Sequence, residues 1–332
     1  MTAPLLDIAN LTVAFRTEAG PREVLNDLSL AIKPGEIMGL VGESGSGKSV
    51  TALAIMRLLG AQGSVREGRI ALDGTDLLGL SESEMLRVRG RRAAMIFQEP
   101  MTSLNPLFTV GFQVAEVLRV HLGLSADEAR KRTVALFDRV GIPSPDLRYD
   151  DYPHQLSGGM RQRVVIAMAI ACRPRLLIAD EPTTALDVTI QAQILELMRE
   201  LRRQEGSAIL LITHDMGVIA RMADRVAVIY AGQIVESAPL ADLLTAPLHP
   251  YTRLLLAAVP TTKRKVARLP MIPGAMPNAP HMPSGCRFHP RCPDALPACS
   301  VTTLALETLT PARSSRCLRS CEFMAPPAGA VA

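Results

Sequence analysis

The alternation of apolar and polar positions divides the chain of 332 residues into stretches with different predicted structure. Residues 4–33 alternate with a period of two, which predicts antiparallel strands joined by a turn around Gly20 and Pro21. A second alternating stretch, residues 225–238, predicts a hairpin around Ala231 and Gly232. Short apolar runs with the length of buried strands cover residues 36–41, 68–73, 93–98, 175–180 and 207–214.

Residues 105–165 instead have the spacing of amphipathic helices. Ser125 with Glu128 has the pattern of a capping box, and Gly141 is a helix stop. Because strands precede and follow this stretch, the sequence predicts an α/β protein with an all-helical insert.

Composition supports a globular chain, with 48% hydrophobic and 20% charged residues. No apolar run approaches the ~18 residues of a membrane helix, and the first ten residues lack a signal-peptide pattern, so we expect a cytoplasmic location. Net charge is +4, with a nearly neutral body and a basic tail from Thr261 onward.

The first candidate site is the phosphate-loop pattern of residues 41–49, V-G-E-S-G-S-G-K-S. Its glycines let backbone N–H groups face an anion, Lys48 adds a positive charge, and Ser49 offers a hydroxyl to Mg²⁺. A strand precedes the loop, and a helix is predicted over Val50–Leu59, as a phosphate loop requires. The alternative is a chance glycine-rich turn.

A second helix start with the same chemistry lies far along the chain. Leu156, Ser157, Gly158, Gly159 and Met160 open a helix predicted to end near residue 172. Ser157 is a candidate N-cap, and two glycines at a helix start expose N–H groups to an anion. The chain therefore has two predicted phosphate-binding helix starts.

Polar side chains end three of the apolar runs. Asp180 and Glu181 follow residues 175–179, Gln98 ends the run before it, and His214 ends the run after it. Ligands of α/β sheets bind at the carboxyl ends of strands, and Asp180 suits Mg²⁺ or its water shell. A lone Gln or His is more often an ordinary surface residue, and Phe15 is either an adenine platform or a strand-end core residue.

Five of the six cysteines lie in the tail. Cys286, Cys292, Cys299 and Cys317 are separated by five, six and seventeen residues, which is not a C-x-x-C zinc pattern. Clustered cysteines in a cytosolic chain favour a metal over disulfides. An iron–sulfur cluster, zinc and no metal all stay open, and Cys321 could replace Cys317 as fourth ligand.

In this order, the phosphate loop, Gln98, LSGGM, LLIADEP, ALD and THD resemble the ATP-binding subunit of ABC transporters over about residues 5–245. The resemblance implies an α/β, ABC-type P-loop NTPase with a mixed core sheet, an antiparallel β subdomain and a helical subdomain at about 105–165. It places the ATPase domain at 1–245 and a small Cys-rich C-terminal extension with a Pro-rich linker at 246–332. Met160 departs from the commoner Gln, but the backbone donors do not depend on that side chain.

The resemblance also implies residue roles. ATP would be bound by Phe15, Gly42, Glu43, Ser44, Gly45, Ser46, Gly47, Lys48, Ser49 and Val50. Mg²⁺ would be held by Ser49, Gln98 and Asp180. Catalysis would involve Glu181, which polarises the attacking water, together with His214 and Gln98. The ATP of a partner subunit would be bound by Ser157, Gly158, Gly159 and Met160, and Asp187 would bridge the two sites.

Residues 246–260 and the segment after Gln98, PMTSLNP, resemble the corresponding segments of the ATPases of oligopeptide/dipeptide importers. The Cys-rich segment also resembles theirs, which carries a 4Fe–4S cluster in some members. The expected function is ATP hydrolysis that drives peptide uptake at the cytoplasmic face of the inner membrane. Expected partners are a second homologous ATPase as a heterodimer, two membrane permeases and, indirectly, an external binding protein. Another small solute, such as a nickel chelate, opine or glycoside, is an alternative cargo. A less favoured alternative is a soluble ABC ATPase that acts on nucleic acid through the basic tail. A nucleic-acid partner is not expected, since this tail lacks interleaved aromatic residues.

Overall fold

The computed structural model describes residues 3–18, 20–98, 103–184, 187–259, 271–277 and 281–324. Residues 100–102 of the segment PMTSLNP, and residues 269, 270 and 278–280 of the Pro-rich linker, lie outside these residues. The chain forms two compact units, which we describe separately. The first unit contains residues 1–5, 32–36 and 76–211, and the second contains residues 6–31, 37–75 and 212–332.

The second unit contains the antiparallel β subdomain that residues 4–33 predict. Its strand order is β2-β1-β4-β5. β1 pairs antiparallel with β4, from Leu6 opposite Leu72 to Phe15 opposite Gly63. The strands are β1 (Leu6–Thr17), β2 (Gly20–Ile32), β4 (Gly63–Leu72) and β5 (Thr75–Asp76).

A mixed sheet also lies in the second unit, in the order β11-β12-β10-β9-β3. β3 runs parallel to β9, whereas β10 is antiparallel to both β9 and β12. The predicted hairpin around Ala231 and Gly232 is therefore confirmed, and the C-terminal extension adds two strands to its outer side. The strands are β3 (Ile37–Val41), β9 (Arg225–Tyr230), β10 (Gln233–Pro239), β11 (Glu307–Thr310) and β12 (Arg313–Ser315).

Helices of the second unit follow several of these strands. The α-helices are α1 (Lys48–Ile55), α8 (Met216–Met222), α9 (Leu240–Thr245), α10 (Pro250–Ala257) and α11 (Ser320–Met324). Two 3₁₀-helices cover His289–Arg291 and Pro297–Ser300. The helix predicted for Val50–Leu59 thus begins two residues earlier and ends at Ile55, since the last residues of the phosphate loop already form its first turn.

The first unit contains the predicted apolar strands β6 (Ala93–Ile96) and β7 (Leu176–Asp180), which are parallel. Ala208–Leu211 of β8 (Ala208–Thr213) lies beside β7, and all five residues of β7 are buried. A strand that is buried on both faces favours a near-continuous apolar run, which residues 176–179 supply. Its carboxyl end carries Asp180.

The all-helical insert is confirmed within the first unit. Ser125 caps α4 with a complete capping box, in which the Ser125 N–H donates to Glu128 Oε2 at 3.0 Å. Along α3, the buried residues Val110, Val114 and Leu118 form an apolar stripe at four-residue spacing. The helices of this unit are α2 (Glu82–Val88), α3 (Val110–Leu122), α4 (Ala126–Arg139), α5 (Pro145–Arg148), α6 (Gly158–Ile170), α7 (Val188–Glu205) and the 3₁₀-helix Pro153–Gln155.

Within the described ranges, every helix is too short or too polar to cross a membrane.

Candidate nucleotide-binding site

The phosphate loop connects β3 to α1, and its backbone requires glycine at two positions. Gly47 precedes α1 with a φ of +106°, in the region that residues with a Cβ rarely adopt. A Cβ at Gly42 would lie only 2.2 Å from the carbonyl oxygen of Ile229. The two motif glycines therefore allow both the turn and the close approach of β9.

Polar groups of this loop point into it. Lys48 is 6% exposed, and its ammonium donates to the carbonyl oxygens of Gly42 and Glu43, each at 2.9 Å. Ser46 Oγ is buried without a hydrogen-bond partner among the described residues. A buried ammonium and an unsatisfied hydroxyl are groups that a phosphate oxygen would satisfy, so the loop fits an anionic ligand.

The other predicted nucleotide contacts of the second unit lie near the ends of strands. Phe15 is half-buried, and a Cβ on the opposite Gly63 would lie 2.9 Å from its ring. Ser49 and Val50 are half-buried at the start of α1, while Ser44 and Gly45 are exposed. The side chain of His214 is exposed directly after β8.

In the first unit, the predicted metal and catalytic residues meet at the end of β7. Asp180 is buried at 3% exposure, and Glu181 follows it with a φ of +49°. Such a backbone conformation is strained for a residue with a Cβ and is often found at active sites. Glu181 Oε2 accepts hydrogen bonds from Gln98 Nε2 at 3.1 Å and from Thr184 Oγ1 at 2.9 Å. The structure thus places Gln98 and Glu181 in direct contact.

The second predicted helix start is also formed. Ser157 is the N-cap of α6, and its Oγ accepts from the Met160 N–H at 3.3 Å. A Cβ at Gly158 would meet nothing within 4 Å, and one at Gly159 would lie 3.0 Å from Ile190 Cγ2. The first turn of α6 therefore has open space at Gly158, which is exposed.

One further contact connects α6 to this region, and Asp187 begins α7. Gln162, which is buried on α6, donates from Nε2 to the carbonyl oxygen of Pro182 at 2.7 Å. Sequence reasoning missed Gln162, because a glutamine inside a helix has no distinctive pattern. Asp187 is the N-cap of α7, and its Oδ1 accepts from the Ile190 N–H at 2.9 Å.

The C-terminal cysteines converge in the second unit. One cavity of about 10 Å³, lined also by His249 and Phe288, is bordered by Cys286, Cys292, Cys299 and Cys317. Burial raises the pKa of Cys286, and it raises the pKa of Cys292 and of Cys317 to about 11. Cys321 is exposed and does not line this cavity.

The cavity is too small for a cluster in this arrangement, since its volume suits about one water molecule. Over the parts of the chain that the structure describes, His, Cys, Asp and Glu side chains form no group of three at metal-binding geometry. The donor set is nevertheless that of an iron–sulfur site, which four thiolates hold. Binding would require the four side chains to move apart.

Two contacts to the phosphate loop were not predicted at all. Glu43 contacts Arg291, beside Cys292, and Tyr251 on α10. Residues more than 200 positions apart carry no local signal of such pairing, so only the fold could reveal it.

The family comparisons agree with this architecture. The profile described as "ABC transporter" matches residues 25–184, and the profile described as "Oligopeptide/dipeptide transporter, C-terminal region" matches residues 235–299. The fold of this chain is similar to that of the solved dimeric ATP-binding cassette MJ0796 bound to ADP and Pi. The two chains are 29% identical in sequence and superpose with a TM-score of 0.64. That comparison covers 71% of this chain and 98% of the cassette, and it confirms the predicted fold class.

Longer similarities are found among relatives from Brucella. A protein of Brucella abortus (strain 2308), named as a peptide import ATP-binding protein, is 50% identical over 316 residues, or 95% of each chain. One from Brucella ovis with the same type of name is 50% identical over 334 residues, covering 97% of this chain and 99% of the relative. The chain therefore belongs to the ATP-binding subunits of ABC transporters, in the group that carries the oligopeptide/dipeptide transporter C-terminal region.

Proposed function

We propose that this chain hydrolyses ATP to drive the import of peptides through membrane permease subunits. The observation that carries the proposal is the phosphate loop, in which Lys48 is buried against loop carbonyls and Ser46 Oγ lacks a partner among the described residues. The peptide cargo rests on the names of relatives that are 50% identical over 95% or more of this chain.

In the second unit, the loop residues would bind the phosphates of ATP and Phe15 would stack on adenine. The backbone N–H groups of the loop and the N-terminus of α1 favour negative charge, and Lys48 would leave the loop carbonyls for the β- and γ-phosphates. His214 would contact the γ-phosphate. The ATP-binding set is Phe15, Gly42, Glu43, Ser44, Gly45, Ser46, Gly47, Lys48, Ser49 and Val50.

Mg²⁺ would be held by Ser49, Gln98 and Asp180, which supply hydroxyl, amide and carboxylate oxygens, the atoms that Mg²⁺ prefers. When bound, Mg²⁺ neutralises charge that develops on the phosphates during transfer. In the first unit, the Gln98 amide nitrogen already donates to Glu181, so its amide oxygen is the atom available for a cation.

Glu181 would polarise the attacking water. Hydrogen bonds from Gln98 and Thr184 fix its carboxylate, and the left-handed backbone of Glu181 fixes its direction. Catalysis of this type is mainly positioning and electrostatic stabilisation, which a fixed carboxylate supplies without reorganisation.

The helix start at Ser157, Gly158, Gly159 and Met160 would bind the ATP of a second ATPase subunit, with Asp187 near the junction. Open space at Gly158 supports an incoming ligand there, because no other part of the described chain occupies it. We further propose that the second ATPase is a homologous chain in a heterodimer. Two permeases would hold the pair at the cytoplasmic face of the inner membrane, and an external binding protein would deliver the peptide.

Replacement of the proposed base tests the enzymatic role. Glu181→Gln should retain ATP binding and lose steady-state turnover in the assembled transporter, because an amide cannot polarise water as a carboxylate does. Glu200→Gln, the same change on an exposed glutamate of α7, is the matched control and should turn over normally. Full activity of the Glu181 variant would contradict the assignment.

We also propose that Cys286, Cys292, Cys299 and Cys317 hold a 4Fe–4S cluster. Their convergence on one cavity supports this set, since four cysteine sulfurs are the ligands that such a cluster takes. When bound, the cluster would stabilise the extension, whose described residues 281–301 otherwise contain only short 3₁₀-helices.

Anaerobically purified protein should be brown and contain about four iron atoms and four sulfides per chain. Cys292→Ser should lower the iron content, whereas Cys321→Ser, at the exposed cysteine, should not. Zinc without iron would favour the zinc alternative, and colourless, metal-free protein would refute a metal site. Loss of iron in the Cys321 variant would assign the fourth ligand to that residue.

A further inference from the structure

We propose that Arg291 and Tyr251 are positioning residues of the phosphate loop, so that the C-terminal extension sets the affinity of this chain for nucleotide through Glu43. The inference rests on the proposed function of the loop in ATP binding. In this role, residues of the extension contact the phosphate loop directly, and both belong to the second unit.

The first observation is the ion pair between Arg291 and Glu43. The guanidinium donates from Nη1 to Glu43 Oε2 at 3.0 Å and from Nη2 to Glu43 Oε1 at 3.2 Å. This is a bidentate contact, which fixes direction as well as distance. The Arg291 side chain is 7% exposed and that of Glu43 is 25% exposed, so the pair is largely shielded from solvent.

The extension holds Arg291 from its other side. Arg291 Nε donates to the carbonyl oxygen of Pro273 at 2.7 Å, and Nη1 also donates to the Tyr230 hydroxyl at 3.2 Å. The guanidinium carbon lies 5.7 Å from the ring centre of Tyr230 and 5.9 Å from that of Phe288. A guanidinium with this many partners has little freedom, so it can restrain the carboxylate that it binds.

The second observation is the contact of Tyr251 with the loop backbone. The Glu43 N–H donates to the Tyr251 hydroxyl at 2.9 Å. The Tyr251 ring is fully buried and packs against Tyr230 and Phe288, with ring centres 4.7 Å and 5.3 Å away. The hydroxyl is therefore presented by a rigid aromatic group that joins α10, β9 and the Cys-rich segment.

Glu43 is thus held at three points, and one of them reaches the phosphate-binding lysine. Its carboxylate contacts Arg291, its N–H contacts Tyr251, and its carbonyl oxygen accepts from Lys48 Nζ at 2.9 Å. Movement of Glu43 would therefore shift the loop backbone next to Gly42, together with the resting position of Lys48. Since the loop must be preorganised to face phosphate, a looser Glu43 lowers affinity.

Position in the chain connects this contact to the cysteine cavity. Arg291 lies between Cys286 and Cys292, which both border that cavity. The carbonyl of Cys286 accepts from the His289 N–H at 3.0 Å, and the Phe288 carbonyl accepts from the Arg291 N–H at 3.0 Å, so the intervening turn is compact. A change at either cysteine would reach Arg291 through a few residues of ordered backbone.

The test measures the Kd of a fluorescent ATP analogue with Mg²⁺ for the full-length chain, together with the melting temperature of each variant. Arg291→Ala and Tyr251→Phe should each raise the Kd by about 5- to 50-fold, which lies within the usual range of coupling between sites. Arg291→Lys should give an intermediate Kd, because lysine keeps the charge and loses the fork. The double variant should show a non-additive effect, since both residues act on Glu43.

Arg313→Ala is the matched structural control. Arg313 is an arginine of the same extension that lies 3.7 Å from the buried Glu236 and does not contact the loop. Its loss should lower the melting temperature and leave the Kd unchanged. An equal rise in Kd for the Arg313 and Arg291 variants would show general destabilisation and would overturn the proposal, as would an unchanged Kd for Arg291→Ala.

Lys48→Ala provides the reference for a disabled loop. If wild-type protein binds the analogue and Lys48→Ala does not, the nucleotide site stands, and an unchanged Kd for Arg291→Ala overturns only the role of the extension. If wild-type protein binds no nucleotide, the proposed function fails and this inference fails with it.

Discussion

Acid should destabilise the second unit through one buried histidine, His249. This residue is 1% exposed and caps α10, where its Nδ1 accepts from the Tyr251 N–H at 3.1 Å. The backbone N–H of His249 donates to Glu236 Oε2 at 2.9 Å. Burial lowers the pKa of His249 to about 3, and the nearby Arg316 charge acts in the same direction.

The sign and size of the effect follow from proton linkage. The unfolded chain has an ordinary histidine pKa of about 6.5, so between pH 6.5 and pH 3 it binds a proton that folded His249 does not. The contribution of neutral His249 to the free energy of unfolding is fully present above pH 6.5, and it is lost progressively as the pH falls toward 3. At about 1.4 kcal/mol per pKa unit, the loss is about 2 kcal/mol at pH 5.

Glu236 acts in the opposite direction. Burial raises the pKa of its carboxyl, so the folded state takes up this proton more readily than the unfolded state as pH falls. The pH dependence of the wild-type protein alone therefore reports the sum of both groups. A variant at His249 is required to separate them.

The assay compares the free energy of unfolding in urea at pH 7.5 and pH 5 for wild type and His249→Asn. Asparagine keeps a side-chain acceptor for the Tyr251 N–H and cannot take a proton in this range. The difference between the two pH values should shrink by about 2 kcal/mol in the variant. His154→Asn, at an exposed histidine, is the control. An identical pH dependence of wild type and His249→Asn would refute the reasoning.

Three further predictions concern the first unit. Gln162→Leu should lower turnover more than ATP binding, because the Pro182 carbonyl after Glu181 loses its donor; equal loss of both in kinetic measurements would contradict this. Gly158→Asp should block turnover of the assembled transporter, because the aspartate places a negative charge where the phosphate of the partner's ATP would lie. This chain alone should still bind ATP in titrations, and unchanged turnover would argue against a shared site. Ser125→Ala should cost about 1 kcal/mol of unfolding free energy in urea through loss of the α4 cap, with no change in the Kd for ATP.

Much of the fold could be predicted because its signals are local. The apolar run before Asp180 forms a buried strand, and the Ser125 capping box starts a helix where the pattern indicates it. The phosphate-loop glycines were predicted for the same reason, since a turn and a close backbone approach restrict residue type at single positions. The predicted helix ends are less accurate, as for α1, because the residue at which a helix ends depends on how the following residues pack.

Contacts between distant residues could not be predicted from such signals. The clustering of the cysteines predicts a shared site, and four cysteines do border one cavity. The clustering could not show that Phe288, which lies between two of them, packs on Tyr230 and Tyr251. Burial of an aromatic residue depends on which surface the segment meets. That surface is formed by β9 and α10, and the sequence of the tail contains no information about it.

Glu43 shows how a motif can be adapted without changing its fixed residues. The motif does not restrict the side chains at the variable positions of a phosphate loop, so these side chains are available for other contacts. Here that side chain is bound by an arginine of the C-terminal extension, while its carbonyl oxygen contacts Lys48. Since Gly42, Gly47 and Lys48 are unaltered, the loop retains its chemistry, and the extension can alter the geometry of the loop through Glu43 alone.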